Sequence, residues 1–266
     1  MALGVWRGAR CLLVGKDCRT PDAACTRFTP HVRAFARIKR VVGGKDVACG
    51  TQLRAASLRN SSNSRHLCGA TILSHNNAIT AAHCVQNEPD YYFMQLNNFC
   101  FNTQGVPKTP VLKITRHDLY EPSSHVHDIA VLQIKLNFTS FNATILPNSS
   151  FGVSGKCTIY GYGYKDVENK GTTETLQSAE VKLISLDECT SSLGPYIAPQ
   201  PEGGMICAIG DGVDACQGDS GGPLICSGYI QGLSSYGLGC NIPGKPGVYV
   251  STGAHLTWIM RVSEEN

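Results

Sequence analysis

Beyond residue 41 the apolar residues come in short runs, each cut off by Gly, Pro, Asn or Ser, and a chain punctuated this way leaves little room for long helices. The runs at residues 67–73, 91–96, 111–116, 129–134, 156–161, 180–184, 223–226, 229–234 and 247–251 have the length and composition of strands. The pattern predicts an all-β fold. One helix is expected, at the end of the chain, where Leu256, Ile259, Met260 and Val262 recur near helical spacing after Ser251-Thr252-Gly253. Residues 137–154 turn to Asn, Ser, Thr, Pro and Gly and mark a connection between two halves of similar size.

Thirteen cysteines in 266 residues are too many for an ordinary cytosolic enzyme, and the chain is long enough to build a core without them. They read as staples made in an oxidising compartment, so the expected location is extracellular. The apolar runs are a handful of residues long, far below the roughly 18 a spanning helix needs, so no membrane partner is expected. Residues 1–40 hold nine Lys and Arg against two Asp and Glu, whereas the remainder holds 14 against 18. The basic charge therefore sits in a short head, and the body offers no cationic surface for nucleic acid. Behind Arg7 and Arg10 the apolar run Cys11-Leu12-Leu13-Val14-Gly15 stops at Lys16, short of the roughly 7–15 residues of a secretory leader. Acceptor triplets for N-glycosylation begin at Asn60, Asn137, Asn142 and Asn148, three of them within a dozen residues, as on an exposed loop of a secreted protein.

Chemistry concentrates in Asp214-Ala215-Cys216-Gln217-Gly218-Asp219-Ser220-Gly221-Gly222-Pro223. A serine hydroxyl is a weak nucleophile; it needs a base to take its proton, a group to orient that base, and donors for the oxyanion formed on attack. Without a side chain at Gly218, backbone N–H groups on either side of Asp219 can turn toward a substrate carbonyl. Alone, such a run also fits a plain structural turn. Two further segments supply the missing groups: Thr80-Ala81-Ala82-His83-Cys84 a base, and His127-Asp128-Ile129-Ala130-Val131-Leu132 a carboxylate.

With these motifs in the order His, Asp, Ser, the chain resembles the trypsin-like serine proteases of the chymotrypsin family over essentially all of residues 41–266. The resemblance implies two antiparallel β-barrels side by side with a cleft between them and a C-terminal helix. It implies a head or propeptide over 1–40, a first barrel over about 41–145, a second over about 152–254 and the helix over about 255–263. Carried over, Ser220 is the nucleophile, His83 the general base, and Asp128 the group that holds the imidazole in its productive tautomer. The N–H groups of Gly218 and Ser220 form the oxyanion hole. Protein or peptide substrates, proteinaceous protease inhibitors as partners, a monomeric state and no cofactor are also implied.

The junction Lys39-Arg40-Val41-Val42-Gly43-Gly44 resembles a zymogen activation site. Cleavage after Arg40 frees the Val41 amine to pair with Asp219, a carboxylate that burial otherwise leaves without a counter-charge. Asp214 stands where the resembling enzymes keep the floor of the primary pocket, with Ser235, Tyr236, Gly237 and Gly247 around it. The two glycines leave the mouth open, so a long Arg or Lys side chain is expected there. Three positions depart from the common pattern: Tyr236 and Tyr162 replace tryptophan and Ala70 replaces glycine. These departures motivate the alternative of a catalytically weak or silent homologue acting as a binding protein.

His125 and His127 are two apart, but nothing nearby in sequence completes a coordination set, and exposed loop residues are expected; no metal is predicted. Residues 97–107, at the position of the calcium loop in some relatives, contain no Asp or Glu, whereas hard cations want carboxylates. By resemblance the disulfides are Cys68–Cys84, Cys157–Cys226, Cys189–Cys207 and Cys216–Cys240. Cys49 and Cys100 remain, either bridging each other or, for Cys49, tethering the head.

Overall fold

A computed structural model describes residues 43–48, 51, 54–96, 108–136, 146–147, 155–163 and 175–265. The Arg40-Val41 junction, Cys49, Cys100 and the triplets at Asn137, Asn142 and Asn148 lie outside the described residues. The elements are β1 (Lys45–Asp46), β2 (Ala55–Asn60), β3 (His66–Ile72), β4 (Asn77–Thr80), β5 (Tyr92–Leu96), β6 (Lys108–Pro110), β7 (Lys113–Arg116) and β8 (Ala130–Gln133). They continue as β9 (Gly155–Gly161), β10 (Gln177–Ile184), α1 (Leu186–Leu193), β11 (Met205–Ile209), β12 (Pro223–Cys226), β13 (Tyr229–Gly237), β14 (Gly247–Ser251) and α2 (Leu256–Glu264). Among the described residues no helix is long and apolar enough to cross a membrane.

Two antiparallel sheets result. The first runs β6-β5-β2-β3-β4-β8-β7 and curls on itself; the second runs β1-β10-β11-β14-β13-β12-β9 and closes where β9 also pairs with β10. Alternation along the strands decides what faces where, because successive side chains point to opposite sides. In β10, Ala179, Val181 and Leu183 turn inward while Glu180 and Lys182 face solvent. In β4 and β8 both faces are apolar: Ala78, Ala130 and Leu132 fill the first barrel, whereas Ile79 and Val131 point out of it. They must be covered, and they are. Ile129, Ile79 and Val131 pack with Leu233, Val248 and Val250 of the second sheet and with Trp258, Ile259 and Val262 of α2. The helix thus straps the second half back onto the first, helped by a hydrogen bond from Asn77 Nδ2 to the Ser263 carbonyl at 3.0 Å.

The four disulfides implied by resemblance are formed. Cys157 and Cys226 are directly opposed on β9 and β12, so that bridge welds one barrel seam. The helix α1 is an addition to the sequence reading. Its Ser, Thr and Cys content is weak for a helix, yet Ser185 caps it reciprocally with Glu188, a Ser-x-x-Glu box visible in the sequence. Ala70 is buried in the first-barrel core, where its methyl adds packing rather than disturbing the cleft. The fourth triplet begins at a buried residue: Asn60 Oδ1 accepts from the Ser62 and Asn63 amides and organises the turn after β2.

Truncating the fully buried Leu132 inside the first barrel should cost about 2–5 kcal/mol, whereas Leu119→Ala on the surface should stay within about 0.5 kcal/mol. Urea unfolding midpoints of the two variants give the comparison.

Candidate active site

His83 sits on a single 3-10 turn, Ala82–Cys84, whose Ala82 and Cys84 are buried; the Cys68–Cys84 bridge fixes that turn against β3. Its Nδ1–H donates to Asp128 Oδ2 at 2.7 Å, and its backbone N–H donates to Oδ1 at 2.9 Å. Asp128 has no exposed surface and also accepts from Ser235 Oγ at 2.5 Å. Burial works against this carboxylate, but the His125 imidazole 3.5 Å away, the hydrogen bond and electrostatic attraction of His83 and the Ser235 hydroxyl hold its pKa well below the usual carboxylate range. The Nε2 of His83 is left facing the cleft.

Ser220 lies beside Ser235, to whose carbonyl its hydroxyl donates at 3.3 Å; among the described residues it makes no hydrogen bond to His83. The Ser220 carbonyl accepts from the Gly69 amide at 2.7 Å, which ties the Ser220 turn to the first barrel. Gly218 has φ 95°, a region that favours glycine, and neither its N–H nor that of Ser220 has an acceptor among the described residues. Both donors are therefore unused among the described residues, while the Asp219 N–H between them closes the turn onto the Cys216 carbonyl at 2.9 Å.

One residue absent from the sequence reading orients that turn. His66 Nε2 lies 2.8 Å from the Gly218 carbonyl and its Nδ1 2.7 Å from Ser57 Oγ, which accepts from Arg59 Nε at 2.9 Å. The network is consistent with Nε2–H donating to Gly218 and Nδ1 accepting from Ser57. No spacing signal marks His66; its role comes from strand pairing alone.

Asp219 is buried, and its carboxylate accepts from the Gly163 amide at 2.7 Å and the Cys216 amide at 2.8 Å. Gly161 and Gly163 have no room for anything else: a Cβ at Gly161 would lie 1.9 Å from Asp219 Oδ1. Burial pushes its pKa up to about 7, against the pull of those two amides. Asp214 is likewise raised, to about 6, by burial, with the Asn241 and Ala215 amides opposing. It sits in a cavity of about 430 Å³, counted with its open mouth, lined among others by Ser220, Tyr236, Gly237 and Gly247. Gly237 and Gly247 face each other across β13 and β14. Tyr249, two residues along the same face, was not singled out from sequence; its buried hydroxyl has no partner among the described residues, and a Cβ at Gly247 would be 3.2 Å from it and 3.4 Å from Asp214 Oδ1. Period-two alternation from Gly247 is the signal that could have found it.

His125 and His127 lie in a loop, as expected, but they are half-buried rather than exposed, each held in a side-chain cluster. His125 packs edge-on to His83 with ring centres 5.3 Å apart and lies 5.2 Å from Tyr236, its Nδ1 3.5 Å from Asp128 Oδ2. That carboxylate raises its pKa against the effect of burial. His127 turns instead toward His117 and His255. Completion of both groups comes from residues far apart in sequence, which a local search does not see.

Comparison with known proteins agrees with this geometry. Residues 41–259 match the sequence profile of the Trypsin family. The chain belongs to that family. Trypsin delta of Drosophila melanogaster is 32% identical over 225 residues, covering 83% of this chain and 87% of the relative. Transmembrane protease serine 9 of Rattus norvegicus is 33% identical over 246 residues, covering 86% of this chain but 23% of that protein. Among solved structures, neuropsin, a serine protease expressed in the limbic system of mouse brain, superposes with a TM-score of 0.73 at 31% identity, covering 82% of this chain and 98% of that one.

In this trypsin-family chain a raised carboxyl pKa means stability that is complete at acid pH and lost as pH rises through the folded value. Relative to Asp219→Asn, whose amide has no proton to lose but leaves one of the two backbone donors without an acceptor, the wild type should therefore lose stability as pH rises from about 4 to about 7.5. Chemical denaturation of both proteins across that range measures the difference.

Proposed function

We propose that the chain is a secreted serine endopeptidase, made as a zymogen and activated by cleavage after Arg40, that hydrolyses peptide bonds after Arg or Lys. One observation carries the reading: His83, Asp128 and Ser235 form a hydrogen-bonded chain beside Ser220, and Ser220 lines the same cavity as Asp214. In this reading a cationic side chain enters between Gly237 and Gly247 and meets Asp214, with the Tyr249 hydroxyl as a further partner. Ser220 Oγ attacks the scissile carbonyl as His83 Nε2 takes its proton, and the oxyanion receives hydrogen bonds from the Gly218 and Ser220 amides. Each such donor is worth about 2.7–4 kcal/mol of transition-state stabilisation. Collapse expels the amine, which takes the proton back from His83; water, deprotonated by the same base, then releases Ser220 from the ester. Asp128 stabilises the imidazolium throughout.

Activation rests on Asp219. A carboxylate closed in by Gly161 and Gly163, with two amide donors and a raised pKa, suits an incoming ammonium, and a Val41 amine freed by cleavage has that charge. Arg40 satisfies the proposed specificity, so the enzyme should activate itself. Secretion is supported by the four disulfides.

A second reading, a catalytically silent binding protein on the same scaffold, is favoured by the Ser220 hydroxyl bonding Ser235 rather than His83 and by Tyr236 in place of tryptophan. Stoichiometric labelling of Ser220 by an organophosphorus reagent separates the two, because labelling requires an activated hydroxyl. Protein beginning at Val41 should turn over Arg and Lys esters, and Ser220→Ala should lower kcat by about a millionfold. Asp214→Ser should lower kcat/KM for arginine substrates by about 10²–10⁴-fold, as expected when a buried pair worth about 3–5 kcal/mol loses one partner. An arylamidinium inhibitor should bind more weakly as pH falls through about 6, where Asp214 takes up its proton. Correctly processed protein that neither reacts with the organophosphorus reagent nor cleaves either ester would overturn the reading.

A further inference from the structure

His127, the residue before Asp128, meets His117, just beyond β7, and His255, just before α2. The ring centres form a triangle with sides of 4.7, 5.1 and 5.2 Å, and one nitrogen from each ring lies within 4.8 Å of the other two. Three imidazoles sharing one tetrahedral ion, each nitrogen about 2.0–2.1 Å from it, have ring centres about 5 Å apart. The spacing here is the same.

The orientation of His255 also suits a ligand. Its Nδ1–H donates to the Ser251 carbonyl at 2.7 Å, which leaves the Nε2 lone pair aimed at His127. A histidine ligand held through its other nitrogen by a backbone carbonyl is the usual arrangement at a metal. Gly204 cradles the ring, since a Cβ there would lie 2.3 Å from His255 Cε1. His127 Nδ1 is 2.9 Å from His255 Nε2, and two nitrogens on a tetrahedral ion stand about 3.3 Å apart, so a small separation admits one. His127 then carries its proton on Nε2 instead of Nδ1. The planes of His117 and His127 are inclined by only 22°, so sharing an ion requires one ring to turn about its χ2, and both are partly exposed. Whichever nitrogen it uses, His117 gives up the hydrogen bond from the Leu119 amide at 3.2 Å. Burial, and for His117 and His255 the neighbouring imidazoles, disfavour protonation, so lone pairs are available at neutral pH.

We propose that His117, His127 and His255 form a binding site for a zinc-class divalent transition-metal ion, with water completing the coordination. An all-imidazole set selects zinc, copper, nickel or cobalt over magnesium and calcium. The three ligands come from the first-barrel loops and the root of α2, so the ion clamps the segment that delivers Asp128 to the helix that straps the two halves together.

Titration of the tag-free, full-length chain with cobalt(II) tests this. The wild type should develop the intense visible absorption of four-coordinate cobalt, zinc should displace it, and zinc should raise the thermal unfolding midpoint where magnesium does not. His117→Gln and His127→Gln, each checked for native circular dichroism, should weaken binding by at least about 10–100-fold, the range for disturbing even an outer partner of a ligand. His83→Gln, which removes one imidazole of the neighbouring His83, His125 and Asp128 cluster from a separate turn, should leave it unchanged. No cobalt spectrum in the wild type, a spectrum that survives either of the first two substitutions, or one lost with His83→Gln overturns the assignment.

Discussion

The arrangement depends on one carboxylate kept ionised out of reach of water. Burying a lone carboxylate is far costlier than any single contact in this fold returns, so Asp128 can be enclosed only if donors converge on it. They arrive from both halves of the molecule. The His83 amide and imidazole come from the first barrel, and the Ser235 hydroxyl comes from β13 of the second. The two barrels are thus brought into register at the cleft by electrostatic need, while the apolar contacts of Ile79, Ile129 and Val131 with the second sheet and α2 supply adhesion without direction.

Asp214 and Asp219 show the opposite solution to the same problem. Each is enclosed with amide donors only, and each has its pKa raised rather than lowered. The difference is the absence of a cationic or imidazole partner among the described residues, and amide dipoles do not fully offset burial. Three enclosed carboxylates therefore have affinities for protons pushed far apart by their surroundings, and environments that differ in this way let chemically identical groups take separate tasks. One is already satisfied, and two are poised to receive a positive charge. That division supports the proposed roles more strongly than the mere presence of three acidic residues.

Legibility from sequence followed the physics of each element. Strands β12 and β14 were bounded correctly, because their apolar runs are bordered by Gly, Pro and Ser. Strand β2, Ala55–Asn60, was not seen: its Ser57, Arg59 and Asn60 are polar yet buried, held by a hydrogen-bonded network that no hydropathy pattern encodes. The trio His83, Asp128 and Ser220 is legible through the motifs Ala-Ala-His-Cys, His-Asp-Ile-Ala and Gly-Asp-Ser-Gly-Gly, whose order carries the family resemblance. His66 and Tyr249 escaped because they act through partners about 150 residues away or across a pocket wall. His117 and His255 escaped for the same reason: an imidazole in sequence carries no mark of what will fold against it.

The segment leading into Asp128 joins these themes. His125 and His127 both have positive φ, 55° and 53°, although neither is glycine. Backbone in this region costs about 1–3 kcal/mol per residue and persists only when the surroundings over-determine it. Here the two side chains are held on separate supports. His125 is wedged between His83 and Tyr236, and His127 is bonded to His255 while its own N–H donates to the Gly203 carbonyl at 3.2 Å. Relaxing either residue to an ordinary conformation would swing the chain that ends at Asp128 and would withdraw the carboxylate from its donors. The strain is therefore tolerated because the same contacts that impose it keep a buried charge solvated by protein, and loosening them would expose that charge to an interior with nothing to offer it.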